Sequence, residues 1–74
     1  MRIKFEIEVD ITQKLVLRKS SIILLNIKMT DLFSDLVFTS SNGYKSISEA
    51  FDAVKQQLLS NIDSLKKHYA IKGE

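Results

Sequence analysis

The sequence is poor in the residues that build cross-links, metal sites and phosphate-binding loops. It has no cysteine and a single histidine, His68, which excludes disulfides, thiolate metal sites and zinc sites made of several histidines. Its two glycines, Gly43 and Gly73, lie far apart, so a glycine-rich phosphate-binding loop is also excluded. Domains this small usually gain stability from disulfides, a metal or association. Association with another chain is therefore the means that remains.

Long apolar runs are missing as well. The longest unbroken run is Ile22–Leu25, which is far too short to span a membrane. The first eleven residues alternate between charged and apolar side chains, unlike the continuous apolar segment of a signal peptide. From these two observations we expect a cytoplasmic protein that does not associate with a membrane.

Signals of catalysis are equally sparse. A nucleophilic serine needs a neighbouring base, and the one histidine falls near the end of the last predicted helix. Glu6, Glu8 and Asp10 alternate along one predicted strand, where carboxylates can hold a cation or transfer protons. Such a row is more often a solvated face whose charges pair across strands with Lys or Arg, and we favour that interpretation. We therefore expect a non-catalytic protein with no metal site and no cofactor.

What is present is the composition of one small globular domain, predicted to span residues 1–74. Apolar residues make up 45% of the chain and charged residues 27%, which are ordinary values for such a domain. The formal net charge is +2, a mildly basic balance. This balance permits nucleic-acid binding without requiring it.

Period-two alternation predicts three strands. Residues 2–11 place Ile3, Phe5, Ile7, Val9 and Ile11 on one face and charged residues on the other. Residues 22–29 predict a second strand and residues 35–40 a third, with a short helix over 31–38 as the alternative to the third. Residues 12–21 are less regular and allow three interpretations: a loop, a hairpin turn with a short strand, or the start of the second strand. Ser41–Gly43 is typical of a turn.

A long amphipathic helix is predicted to follow. Ser46 and Glu49 have the spacing of a capping box, in which the serine hydroxyl and the glutamate satisfy amides at the helix start. Apolar residues then recur in steps of three and four, and Gly73 can end the helix. The members of this stripe are Ile47, Phe51, Val54, Leu58, Ile62, Leu65 and Tyr69.

Together these elements predict an α+β fold, a three-stranded, mainly antiparallel sheet followed by one long C-terminal helix. The helix is expected to cover one face of the sheet. The predicted core comprises Ile3, Phe5, Ile7, Val9, Ile23, Leu25, Ile27, Phe51, Val54 and Leu58.

Two surfaces are candidates for binding. Basic residues and one aromatic ring could contact RNA, since phosphates attract Lys and Arg and bases stack on rings. These residues are Arg18, Lys19, Lys28, Lys66, Lys67 and Tyr69. Some apolar residues are expected to stay uncovered, because they lie at the end of the helix past the sheet or on the sheet face away from the helix. These could instead contact a second chain. These residues are Ile22, Leu24, Ile62, Leu65 and Tyr69.

Two family resemblances bear on the same region. Tyr44, Ile47, Asp52, the pair Gln57-Leu58 and the pair Leu65-Lys66 follow three predicted strands. Their spacing resembles the final helix of the ribosome hibernation-promoting factors, which implies binding to ribosomal RNA. The helix start from Gly43 through Ser46-Ile47 to Glu49-Ala50 is similar to that of HicB-type antitoxins, which implies a protein partner. Neither resemblance assigns a role to an individual residue.

Two functions are therefore expected. The first is a small non-catalytic binding module that acts within a complex with RNA or a ribosome-like particle. The alternative is a protein-interaction subunit, antitoxin-like or otherwise. In either case we expect the chain to work as a homodimer or with a different protein partner.

Overall fold

The fold is a three-stranded antiparallel sheet with one helix packed across it. The computed structural model describes residues 1–17 and 20–73. The elements are β1 (Phe5–Leu17), β2 (Ser20–Asp31), β3 (Leu36–Tyr44) and α1 (Ile47–Gly73). The strand order is β1-β2-β3, and each neighbouring pair is antiparallel. The predicted α+β class and the β-β-β-α order are confirmed.

Several segment boundaries differ from those predicted. Residues 12–17 continue β1 and residues 20–21 begin β2, so most of the open region belongs to these two strands. Residues 32–35 form a turn before β3, so the alternative of a helix over residues 31–38 is wrong. The predicted turn at Ser41–Gly43 is also wrong, because these residues extend β3 and pair with β2.

The turn between β2 and β3 is built around Asp31. Its carboxylate accepts hydrogen bonds from the Phe33 amide at 3.0 Å and the Ser34 hydroxyl at 2.8 Å. Its backbone carbonyl accepts a bond from the Asp35 amide at 2.8 Å. Asp35 has a φ of 66°, a left-handed conformation that Asp adopts more readily than most residues. Local bonds of this kind end β2 and redirect the chain.

Helix α1 begins with a cap at the predicted position. The Glu49 amide donates to Ser46 Oγ at 3.1 Å, which confirms the serine half of the capping box. The Glu49 carboxylate accepts a bond from the Lys45 amide at 3.2 Å and so reaches one residue further back than predicted. Two residues, Lys45 and Ser46, connect β3 to α1. Such a short connection holds the start of the helix close to β3.

The core lies between α1 and the two strands nearest to it. The helix packs on β2 and β3 and leaves β1 largely uncovered. The width of the helix explains this, since a helix is about 10 Å across and strands are about 4.8 Å apart, so one helix covers about two strands. The buried apolar side chains are Ile23, Leu25, Ile27, Met29, Ala50 and Leu65.

The predicted core is therefore only partly correct. Ile23, Leu25 and Ile27 are buried as predicted, whereas Val54 and Leu58 are half-buried. Five residues were wrongly assigned to the core, because their side chains are exposed. They lie just before β1, in β1 or in α1: Ile3, Phe5, Ile7, Val9 and Phe51. Alternation identifies the apolar face of β1, but a helix lying over β2 and β3 does not reach that face.

Four residues predicted to remain for a partner are at least partly covered within the chain: Ile22, Leu24, Leu65 and Tyr69. Leu65 is 3% exposed because the sheet extends far enough to cover it, so the expectation that the helix outruns the sheet there is wrong. Ile22 and Leu24, on the sheet face opposite the helix, are half-buried. A Cβ atom at Gly43 would lie only 2.5 Å from Ile22 Cδ1. The missing side chain at Gly43 therefore gives Ile22 room to lie against β3.

Candidate interaction surface

The uncovered face of β1 presents a row of apolar side chains to solvent. Phe5, Ile7 and Val9 point to the same side of the sheet as the helix, and Ile3 continues the alternation just before the strand. These four side chains are between 39 and 46% exposed. Met29, the cross-strand partner of Ile7 on the same face, is 0% exposed. We call the four β1-side residues the floor.

A second apolar row runs along one flank of α1. Ile47, Phe51 and Ile62 are exposed, and Leu58 is half-buried. Their separations of four, seven and four residues place them in one line along the helix. We call this row the wall. Of the predicted partner-contacting residues, Ile62 is the one that belongs to it.

The direction of α1 fixes which way the wall points. The helix starts beside the end of β3 at Tyr44, and Tyr69 near its other end bonds to Asp31, so α1 runs in the same direction as β2. In a right-handed helix the wall is rotated by about 60° from the buried row that contains Ala50 and Leu65. Viewed along the helix from its N-terminus, with the sheet below, the wall therefore points to the left.

Seen from the same viewpoint, β1 also lies on the left. The Leu32 amide donates to the Lys4 carbonyl at 2.9 Å, which makes Ile7 and Met29 a pair without mutual hydrogen bonds. The Cα–H groups of such a pair face each other. For an L-residue whose side chain points up, the Cα–H lies to the left of the chain direction. The floor and the wall are therefore two sides of one open apolar groove.

Strand β1 also carries the free edge on this side of the sheet. The hydrogen-bond pattern set by Lys4 and Leu32 directs the backbone groups of Phe5, Ile7 and Val9 away from β2. Outward-facing amides and carbonyls on an edge strand are a template for pairing with another strand. The apolar groove and this edge adjoin along the whole of the floor.

The opposite face of β1 carries its charges in two blocks. Arg2 and Lys4 form a basic block, and the acidic block that follows contains Glu6, Glu8 and Asp10. All five side chains are exposed. The charge of this strand face changes from positive to negative along the chain. Two such strands placed antiparallel would therefore set the basic block of each against the acidic block of the other.

The predicted RNA-contacting residues are not gathered into one patch. Lys28 lies on the sheet face away from the helix, opposite a glutamate of β1. Lys66 and Lys67 are exposed on α1, which is on the other side of the sheet. Arg18 and Lys19 fall outside the described residues. The structure thus separates the basic side chains that it describes.

Tyr69 fastens the end of α1 to the turn after β2. Its hydroxyl donates a hydrogen bond to the carboxylate of Asp31, which is fully buried. Its ring lies 6.3 Å from that of Phe33, centroid to centroid. Tyr69 is half-buried in this contact, so its predicted role as a stacking platform or partner contact is limited by its role within the fold. We call the pair Asp31 and Tyr69 the clasp.

The clasp perturbs both of its ionisable groups. Burial raises the pKa of Asp31, but hydrogen bonds from Tyr69, Ser34 and the amides of Phe33 and Ser34 outweigh it, and the net pKa is below its ordinary value. Burial, reinforced by the bond to Asp31, raises the pKa of the Tyr69 hydroxyl. The clasp therefore favours an ionised carboxylate beside a neutral phenol.

Among the described residues, no three His, Asp or Glu side chains cluster as metal ligands. Within the same residues, no helix has both the length and the apolar character that crossing a bilayer requires. No protein-family model, curated protein or solved structure matches this chain. The resemblances to ribosome hibernation-promoting factors and to HicB-type antitoxins therefore stay predictions. The apolar groove and the free edge of β1 are the features from which a function can be inferred.

Proposed function

We propose that the protein is a non-catalytic interaction module that binds another protein chain through the apolar groove. The exposed floor is the observation that carries this proposal. It joins Ile3, Phe5, Ile7 and Val9 in one row directly beside the wall. Exposed apolar side chains that adjoin one another, in contrast to ones scattered singly, mark interaction sites.

The overall dimensions support the same conclusion. The chain exposes 5790 Å², whereas a compact monomer of 8.5 kDa would expose about 4,700 Å². Its radius of gyration is 15.2 Å, compared with about 11 Å for a compact domain of this length. The shape, 55 × 16 × 13 Å, is that of a thin layer pair with one side uncovered. A partner lying in the apolar groove would thicken this layer and remove the excess surface.

RNA binding, the other function predicted from the sequence, has less support from the geometry. The described basic residues lie on opposite sides of the sheet, and Lys28 adjoins Glu6 and Glu8, whose charges repel phosphate. RNA binding stays a prediction. Fluorescence anisotropy with a labelled RNA tests it, because binding through phosphate contacts must weaken steeply as salt is raised.

A photo-reactive benzoylphenylalanine at Ile7 tests the proposed function in cells that normally make the protein. We expect covalent adducts with a protein chain after irradiation, because Ile7 lies in the middle of the floor. The matched control is the same group at Thr39, which is exposed on the opposite face of β3. Adducts at Thr39 as abundant as those at Ile7, or none at Ile7, would contradict the proposal.

A further inference from the structure

We propose that the chain in the apolar groove is a second copy of this protein, joined by antiparallel pairing of the two β1 edges. This inference rests on the proposed function and names its partner. A two-fold axis perpendicular to the sheet would relate the copies. The product is a continuous six-stranded sheet with both helices on the same face.

This arrangement covers the surface that a single chain leaves open. Each helix packs on β2 and β3 of its own copy, so the two β1 strands lie side by side between the helices. The gap is about two strand spacings wide, or about 10 Å. Below it lie the two floors, and on either side stands the part of the wall at their level, Leu58 and Ile62. Apolar side chains of both copies then fill the gap together.

The edge supplies the hydrogen bonds for this pairing. In each copy the amides and carbonyls of Phe5, Ile7 and Val9 point outward from the sheet. Antiparallel pairing about a two-fold axis lets these groups bond to the same groups of the second copy. Such an interface is isologous and closes on itself, so it yields a dimer and not a fibre.

Charge on the opposite face selects antiparallel over parallel pairing. Parallel pairing would set basic block against basic block, whereas antiparallel pairing sets basic against acidic. Centring the axis on Glu6 places Lys4 opposite Glu8 of the second copy and Arg2 opposite its Asp10. It also sets the two Glu6 side chains against each other at the axis, so four attractive pairs outweigh one repulsive pair. In this register the floors also match, with Ile3 opposite Val9 and Phe5 opposite Ile7 of the second copy.

The excess surface of the chain is consistent in size with one dimer interface. Each chain exposes about 1,100 Å² more than a compact monomer of its mass would. A standard protein–protein interface buries about 800 Å² on each partner. The excess surface of one chain is therefore of the size that a standard interface covers.

Complementary charge reversal tests the pairing directly. Sedimentation equilibrium of the purified wild-type chain is expected to give twice the chain mass of 8.5 kDa. Lys4→Glu sets glutamates against Glu8 of the other copy, and Glu8→Lys sets lysines against Lys4. For each variant alone, the dimer dissociation constant should rise roughly tenfold or more. The reason is that the two symmetry-related pairs between positions 4 and 8 now carry like charges. An equimolar mixture of the two variants should regain wild-type affinity as a heterodimer.

The matched control is Lys14→Glu, which lies on the same strand face beyond the proposed overlap and should leave the affinity unchanged. Circular dichroism checks that each variant is folded. A wild-type chain that stays monomeric at high micromolar concentration overturns the self-pairing, as does a dimer that ignores both charge reversals. The Ile7 adduct separates the two proposals: a different protein in that adduct would overturn self-pairing alone, whereas no adduct would overturn the proposed function.

Discussion

Strands β1 and β2 share the same alternating sequence pattern, but on the helix side of the sheet the apolar side chains of β2 are buried and those of β1 are largely exposed. In β2 the residues Ile27 and Met29 are buried beneath the helix, whereas their cross-strand partners Val9 and Ile7 are nearly half exposed on the same face. Alternation reports which face of a strand is apolar. It does not report whether anything within the chain covers that face. The contrast between β2 and β1 therefore separates what folds the monomer from what is available to a partner.

The largest expected effect is the contrast between Ile27→Ala and Ile7→Ala. Both changes remove the same atoms from the same sheet face, but Ile27 is 3% exposed and Ile7 is 46% exposed. Ile27→Ala should lower the free energy of unfolding by about 2–5 kcal/mol, as in other buried cores. Ile7→Ala should cost about 1 kcal/mol or less in dilute protein. Urea unfolding monitored by circular dichroism measures both values.

Varying the protein concentration tests why the two costs differ. A partner that binds only the folded state adds stability that increases with its concentration. The cost of Ile7→Ala should therefore rise with protein concentration, whereas the cost of Ile27→Ala keeps its large core contribution even in dilute protein. Equal costs for the two variants in dilute protein would mean that β1 is covered within a single chain.

The clasp should make the covered half sensitive to acid. The folded pKa of Asp31 lies below its ordinary value of 3.8, so the folded state favours the ionised carboxylate. The stability this contributes is complete above that ordinary value and is lost as the pH falls through the lowered folded pKa. Thermal unfolding from pH 6 down to pH 2 should show this loss in the wild type and a smaller loss in Asp31→Asn.

Two further variants sharpen the test of the clasp. Tyr69→Phe removes a hydrogen bond that lowers the pKa of Asp31, so the folded pKa should rise and the acid-induced loss should become smaller and end at a higher pH. Asp35→Asn is the matched control, because Asp35 lies exposed in the same turn and Asn also tolerates its left-handed conformation. An Asp31→Asn variant with the acid profile of the wild type would show that the clasp is not the acid-sensitive element.

The smallest expected effect concerns the cap that sets α1 over β2 and β3. Ser46→Ala removes the acceptor for the Glu49 amide and should cost about 1 kcal/mol. Ser48→Ala, one residue into the helix and exposed, is the matched control and should change the free energy of unfolding very little. If both changes have the same effect, the cap contributes nothing specific.

Local pattern was sufficient to predict the strand faces, the cap and the order of elements. It was insufficient where distant parts of the chain decide the structure. Ser41–Gly43 has the composition of a turn, yet pairing with the apolar start of β2 holds it as strand. The clasp joins residues 38 positions apart and has no periodic signal beyond an aspartate before a turn. The exposure of β1 depends on the width of one helix and its short connection to β3.

Only part of the candidate surface was predicted, again because local pattern does not show which residues the rest of the chain covers. Ile62 was expected to remain for a partner, and it does lie in the wall. Leu65 was expected there too, but it is buried between the helix and the sheet, because the sheet extends further along the helix than the sequence pattern indicated. The floor was assigned to the core, since an apolar strand face in a short chain is normally covered by that chain.

Amide hydrogen exchange along β1, measured by NMR as a function of protein concentration, tests the central claim most directly. The amides of Glu6 and Glu8 point to β2 and should be protected at every concentration. The amides of Ile7 and Val9 point to the free edge, so they should exchange rapidly in dilute protein and become protected as the two β1 edges pair. Rapid exchange at Ile7 and Val9 up to millimolar concentration, with Glu6 and Glu8 protected throughout, would contradict pairing through this edge.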